Sequence, residues 1–191
     1  MELNERIDLI EYEIKRPEFI ASKGLGNEVN YRVFDYDPED ELYVRERIKT
    51  LINKINNQDS GFKIKEYDLY DLIIDELKSK GYLEKCFEFE KRSFDRITRA
   101  INNLMRTTER DNLFVNKIKQ ETEPNTIVFI TGVGKCYPIL RSHVILNNLH
   151  LSIDNVPVVL FFPGRYDGQK LKIFNEVKDD NYYRAFQLVE R

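Results

Sequence analysis

Four aspartates, a threonine and an arginine stand at or just past the ends of predicted strands, and together they could bind a metal ion. They are Asp35, Asp37, Asp68, Asp167, Thr131 and Arg165. Acidic clusters of this kind hold Mg²⁺ in phosphohydrolases. Each aspartate also has a local alternative: Asp37 can cap a helix, Asp68 can start one, and Asp167 suits the turn GRYDGQ. We therefore predict a candidate crevice here and leave its chemistry open.

Two glycines belong to the same candidate crevice, in the loop TGVGKCYP. A phosphate-binding loop needs GxxxxGK[ST], but when Lys135 is aligned with the lysine, Phe129 replaces the first glycine and Cys136 replaces the hydroxyl residue. We therefore predict that no nucleotide binds. Instead, Gly132 and Gly134 should form a tight turn between a strand and the next helix, which can line a crevice because open α/β sheets bind ligands there.

A zinc site or an activated nucleophile is not predicted either. Cys136, His143 and His150 are spaced seven residues apart. Seven helical residues span roughly 10.5 Å, whereas the ligands of one zinc ion nearly touch. Neither serine nor cysteine stands in a nucleophile-elbow motif. No metal and no cofactor is predicted, and a non-catalytic protein is favoured, although the acidic crevice keeps an enzymatic role open.

The segment KRSFDRITRAINNLMRTTERDN carries a basic stripe when it is placed on a helix. The stripe, which we call the Arg stripe, consists of Arg92, Arg96, Arg99, Arg106 and Arg110. Apolar residues fall on the opposite side: Phe94, Ile97, Ile101, Leu104 and Met105. Residues 91–119 hold eight Lys or Arg against three Asp or Glu. A solvated helix face is one explanation, and a binding surface for a partner is the other, since arginine is well suited to pairing with carboxylate or phosphate.

Apolar spacing and helix caps indicate the elements that hold these residues. Strands are predicted at 29–36, 62–68, 126–132 and 156–164, with AFQLV as an ambiguous last edge strand. Helices are predicted at 3–15, 37–55, 69–81 and 138–149, and a helical insert, in two or three pieces, at about 82–120. The helix at 37–55 should bury Leu42, Ile48, Leu51, Ile52 and Ile55.

Strand and helix alternate along the chain, and the third and fourth strands are apolar at nearly every position, as strands covered on both faces must be. The predicted fold class is therefore α/β. We expect a single domain over 1–191 with three layers, a mostly parallel sheet of about five strands and helices on both faces. The order is like that of nucleotide-binding domains, without their phosphate loop.

Composition narrows the class of protein. The chain has 191 residues, of which 41% are apolar and 33% charged, and its net charge is −3. We expect a soluble, cytoplasmic protein with no membrane segment, because the N-terminus lacks a signal peptide and the apolar runs are too short to span a bilayer. Cys86 and Cys136 should then be free thiols.

Several motifs in order resemble the BrxB family, a component of the bacteriophage exclusion (BREX) defence systems of bacteria and archaea. They are KGLGNEVNYRVFDYDPEDEL, YDLYDLI, TGVGKCYPILRSHVILNNL, FFPGRYDGQ and KDDNYYRAFQL. The resemblance implies a role in phage defence beside a DNA methyltransferase, an ATPase and the alkaline-phosphatase-like protein PglZ. It brings no catalytic residues that can be assigned by position.

Three functions follow, in order of preference. The first is a non-catalytic adaptor that binds another BREX protein, with PglZ as the best candidate and DNA reached only through the complex. The second is a metal-dependent phosphohydrolase or nuclease that uses Asp35, Asp37 and Asp167. The third is a DNA-binding module that places the Arg stripe on phosphates, which the negative net charge disfavours.

Overall fold

The computed structural model describes residues 1–20, 31–109, 112–141, 144, 148, 156–178 and 185–191. Its helices are α1 Leu3–Ile14, α2 Pro17–Ile20, α3 Glu41–Asn56, α4 Leu69–Ser79, α5 Leu83–Glu90, α6 Phe94–Met105, α7 Leu113–Glu121 and α8 Val133–Cys136. Its strands are β1 Tyr31–Tyr36, β2 Lys63–Asp68, β3 Thr126–Thr131, β4 Val158–Tyr166, β5 Leu171–Ile173, β6 Val177–Lys178 and β7 Phe186–Gln187.

The predicted α/β class and parallel sheet are confirmed. Within the described residues, five strands run parallel in the order β2-β3-β4-β1-β7. The short strands β5 and β6 extend the end of β4 as antiparallel partners. The predicted edge strand in AFQLV is β7, which pairs with β1.

Two apolar cores cover the two faces of the sheet, because side chains alternate along each strand. Phe34, Phe129 and Phe161 point into one core, where the apolar stripes of α1 and α3 cover them. Val128 and Leu160 point into the other core, which α4, α6, α7 and α8 cover. The helices on both faces explain why β3 is buried at every residue.

The helical insert forms in three pieces, α5, α6 and α7, within the predicted range. Half of the residues of the predicted helix at 138–149 lie outside the described residues; residues 138–140 form turns and a bend after α8, whereas Val144 and Asn148 are helical as predicted. No helix of the described segments combines the length and the apolar character needed to cross a bilayer.

The topology places the candidate crevice at the ends of β1 and β4, which are neighbours in the sheet although they are far apart in sequence. The chain leaves β1 through α3, on one face, and leaves β4 through β5, whose Leu171 and Ile173 belong to the core of the other face. Connections that diverge in this way mark the carboxyl ends of the two strands as the place where open α/β sheets bind ligands.

Candidate functional site

Asp35, at the end of β1, is fully buried in this crevice and is held by Arg6 of α1. Arg6 Nη2 donates to Asp35 Oδ1 (2.9 Å), and Arg6 Nη1 donates to the Asp35 carbonyl (2.8 Å). The other carboxylate oxygen accepts the backbone N–H of Tyr166 (3.0 Å). Burial lowers the pKa of the Arg6 guanidinium, and the neighbouring Asp35 carboxylate opposes that shift. The buried charge of Asp35 is therefore satisfied within the chain.

Asp37 lies at the mouth of the crevice, one residue before a 3-10 turn over Pro38–Asp40. The predicted helix cap is wrong, because the carboxylate makes no cap hydrogen bond. It accepts from Asn175 Nδ2 (3.0 Å) and pairs with Arg191 (2.9 Å), with Arg165 further away at 3.8 Å. Partial burial would raise the pKa of Asp37, but the hydrogen bonds from Asn175 and Arg191 outweigh it and the pKa lies below its ordinary value.

The glycine loop and Asp68 form a second group, at the ends of β2 and β3. Asp68 caps α4 by accepting from the amides of Tyr70 (3.0 Å) and Asp71 (3.2 Å). Its other oxygen pairs with Lys135 Nζ (2.5 Å), which also reaches Asp71 (3.2 Å). Partial burial alone would lower the pKa of Lys135, but the hydrogen bonds to Asp68 and Asp71 outweigh this effect and raise it. Gly132 has φ +75°, and a Cβ there would lie 2.3 Å from Asp68 Oδ1, so the tight turn requires glycine.

The remaining predicted crevice residues have local partners. Thr131 Oγ1 donates to Glu66 (2.7 Å). Asp167 accepts from the amides of Gln169 (2.9 Å) and Lys170 (2.7 Å), which lower its pKa and make it a turn former. Gly134 lies in α8, where a Cβ would come within 3.0 Å of Pro163.

The predicted crevice residues thus separate into distinct hydrogen-bonded groups. Asp35 and Asp37 stand at β1 beside Arg165, Asp68 stands with the glycine loop, and Asp167 stays in its own turn. No three His, Cys, Asp or Glu side chains of the described ranges are arranged to hold a metal ion. Burial raises the pKa of the Cys136 thiol, so this cysteine is protonated at neutral pH. His143 and His150 lie outside the described residues.

Three residues that complete the crevice were not predicted from the sequence: Arg6, Asn175 and Arg191. Arg6 offers one usable signal. It stands three residues after Leu3 and four before Ile10, so it lies on the apolar stripe of α1, where a charge must find a buried partner. Asn175 and Arg191 lie in irregular segments and give no such signal.

ATP or GTP with Mg²⁺ should leave the melting temperature unchanged, because the one lysine of the loop is already bound by Asp68 and Asp71. A site with a Kd of about 10 μM would stabilise the fold by about 2.7 kcal/mol at about 1 mM ligand. Differential scanning fluorimetry measures this directly. A clear upward shift that disappears in Lys135→Ala would contradict the prediction.

The Arg stripe does not form on one helix face, which corrects the prediction. Arg96 and Arg99 are exposed on α6, whereas Arg92 precedes that helix. Arg106 follows it in a left-handed conformation (φ 53°) and pairs with Glu109. Arg110 lies outside the described residues. Phe94, predicted on the apolar side, is 42% exposed.

Three arginines of the stripe remain exposed with no acidic side chain of the described residues bound to them. We call Arg92, Arg96 and Arg99 the Arg cluster. The amides of Arg92 and Ser93 donate to the Phe89 carbonyl (2.9 Å each) at the end of α5, and the extended backbone of Ser93 (φ −168°, ψ 112°) then interrupts the helix. The Ser93 side chain caps α6 by accepting the amide of Arg96. The cluster therefore lies around the start of α6.

Known proteins identify the family. The family model described as "BREX protein BrxB" matches residues 65–188. A "BREX protein BrxB" of Bacillus cereus (strain H3081.97) is 50% identical over 190 residues, covering 99% of this chain and 98% of that protein. One of Escherichia coli O9:H4 (strain HS) is 28% identical over 188 residues, covering 98% and 92%. No solved structure matches. The chain belongs to the BrxB family of BREX proteins.

Proposed function

We propose that this protein is a non-catalytic, cytoplasmic adaptor that binds another BREX protein through the Arg cluster. Membership of the BrxB family supports a component of BREX phage defence. The preferred partner is PglZ, the alkaline-phosphatase-like protein that the family resemblance implies, and DNA would be reached only through the complex. A reducing compartment suits the two free cysteines.

One observation carries the non-catalytic part of the proposal: each candidate carboxylate is bound by its own partner within the chain. Asp35 is held by Arg6, Asp37 by Arg191 and Asn175, and Asp68 by Lys135. A phosphohydrolase needs carboxylates that converge on one ion, with oxygens free to bind it. Here the charges at the strand ends are already neutralised, which leaves the crevice as part of the scaffold.

The Arg cluster supports the binding part of the proposal. Its arginines have no acidic partner among the described residues, in a chain whose net charge is −3. Opposite charges on two proteins speed their encounter and fix their register. The Arg cluster therefore suits an acidic surface on a partner protein. The negative net charge of the whole chain disfavours nucleic acid.

Charge reversal tests the proposal. The triple variant Arg92→Glu, Arg96→Glu, Arg99→Glu should fold normally, since exposed charges contribute little to stability. It should reduce the recovered partner by at least about tenfold when the tagged protein is purified from cells that express the whole defence cluster, and protection from phage should be lost. Partner recovery is measured by quantitative mass spectrometry.

Three exposed lysines that form no ion pair with the described residues provide a matched control: Lys49, Lys78 and Lys119. Changing all three to Glu alters the net charge by the same amount at other places and should leave partner recovery intact. If the Arg-cluster variant still recovers its partner, the adaptor proposal for this surface fails. If it keeps the partner but loses salt-sensitive retention on duplex DNA, the DNA-binding hypothesis replaces it.

A further inference from the structure

Four aromatic side chains are exposed at the edge of the helical insert. Tyr82, Phe87, Phe89 and Phe94, which we call the aromatic cluster, are 43%, 49%, 50% and 42% exposed. Three of the four exposed phenylalanines of the described residues belong to it. A single exposed aromatic needs no explanation, but a group within one short segment marks an interaction site.

The way α5 packs leaves these side chains uncovered. Leu83 and Cys86 are partly buried against the core on the α4, α6 and α7 side, and no residue of α5 is fully buried. On the helix surface, Phe87 and Phe89 lie on opposite sides of the edge formed by Leu83 and Cys86. Neither side chain is therefore part of the core. About half of each ring stays exposed although neither belongs to the core, so their aromatic character points to a function at the surface.

The aromatic cluster adjoins the Arg cluster along the chain. The Phe89 carbonyl accepts the amides of Arg92 and Ser93, which keeps Arg92 next to the end of α5. Phe94 is the first residue of α6, and Arg96 lies two residues further along. Aromatic and arginine side chains side by side are the composition that interface hot spots share.

The charges around the aromatics indicate what covers them. The exposed acids Glu84, Glu88 and Glu90 alternate with the aromatic residues on α5. Phosphates of a single strand stacked on these rings would be repelled by the acids, whereas a polypeptide can place apolar side chains there. The arginines on the α6 side then face carboxylates of the same polypeptide.

We infer that the aromatic cluster anchors an acidic segment of the partner protein, with apolar side chains against the rings and carboxylates against the Arg cluster. This inference rests on the proposed function and specifies its partner surface. The rings supply buried apolar contact, which slows dissociation, and the arginines supply steering and register.

Site-specific photocross-linking identifies the molecule that covers the aromatic cluster. Benzoylphenylalanine is placed at Phe89 in the full chain, in cells that express the whole defence cluster, and the linked peptide is identified by mass spectrometry. We expect a segment of another BREX protein in which apolar residues are flanked by Asp or Glu. The same probe at Tyr12, which is 64% exposed on α1, should give no such link. A link to a second copy of this chain or to nucleic acid, or no link, would overturn the inference.

Truncation separates this inference from the proposed function. The double variant Phe87→Ser, Phe89→Ser should fold normally and reduce partner recovery by at least about tenfold, as loss of interface hot spots does. The control Tyr12→Ser, Tyr43→Ser removes two exposed aromatics elsewhere and should change nothing. If charge reversal of the Arg cluster abolishes recovery and the Phe variant does not, the adaptor proposal stands and the aromatic anchor is wrong.

Discussion

Arg6→Ala should lower the free energy of unfolding by about 3–5 kcal/mol, because it breaks a buried ion pair. The side chains of Arg6 and Asp35 are only 2% and 1% exposed. Removing the guanidinium leaves the Asp35 carboxylate buried without its counter-charge, and it also removes the donor to the Val189 carbonyl (3.2 Å). Urea unfolding followed by circular dichroism measures the loss.

A double variant shows whether the ion pair of Arg6 and Asp35 contributes net stability. The alternative is that the loss in the single variant comes only from leaving one buried charge unpaired. Arg6→Met combined with Asp35→Leu should be much less destabilising than either single change, because apolar residues of similar size often replace a buried ion pair at little cost. The exposed pair of Arg47 and Asp8 is the control, and Arg47→Ala should cost about 1 kcal/mol or less. A loss below about 1 kcal/mol for Arg6→Ala would show that the crevice is open to water.

The fold could be predicted from the sequence because its signals are local. The apolar runs of β3 and β4 and the alternation with helices indicate a covered parallel sheet. The start of α6 has a local signal as well, because Ser93 is a favoured cap. The Arg stripe assumes a continuous helix across Ser93, whereas α6 begins after it.

The site could be predicted only in part, because its contacts are not local. Asp37 occupies the position of a cap, but the groups that bind it, Asn175 and Arg191, come from the other end of the chain. The pairing of Asp35 with Arg6 joins α1 to β1 through the tertiary fold. Leu42 shows the same limit in α3: the sequence predicts it buried, but it is 73% exposed, and Val44 faces the sheet instead, beside Ile48 as predicted.

Gly164→Ala should lower the free energy of unfolding by about 3 kcal/mol, since overpacking a closed contact costs this much. Gly164 ends the parallel part of β4 and pairs with Ile173 of β5. A Cβ there would lie 2.1 Å from the Lys172 carbonyl oxygen and 2.9 Å from a ring carbon of Phe162. The first of these atoms belongs to the backbone, so the strand pair itself must separate to admit a methyl group.

The separation should reach the crevice as well as the strands. The backbone of Phe174 donates to the Pro163 carbonyl (2.9 Å), and the next residue, Asn175, binds Asp37. Gly164→Ala should therefore speed amide hydrogen exchange in β5 and at Phe174 before it does so in β3. Gly81→Ala is the control, because its φ of +67° favours glycine while nothing lies within 4 Å of the added carbon. That change should cost about 1 kcal/mol, the conformational part alone. If the two variants lose the same free energy of unfolding, β4 and β5 accommodate the added methyl group without a steric cost. The pairing of β4 with β5 would then not be what holds Asn175 against Asp37.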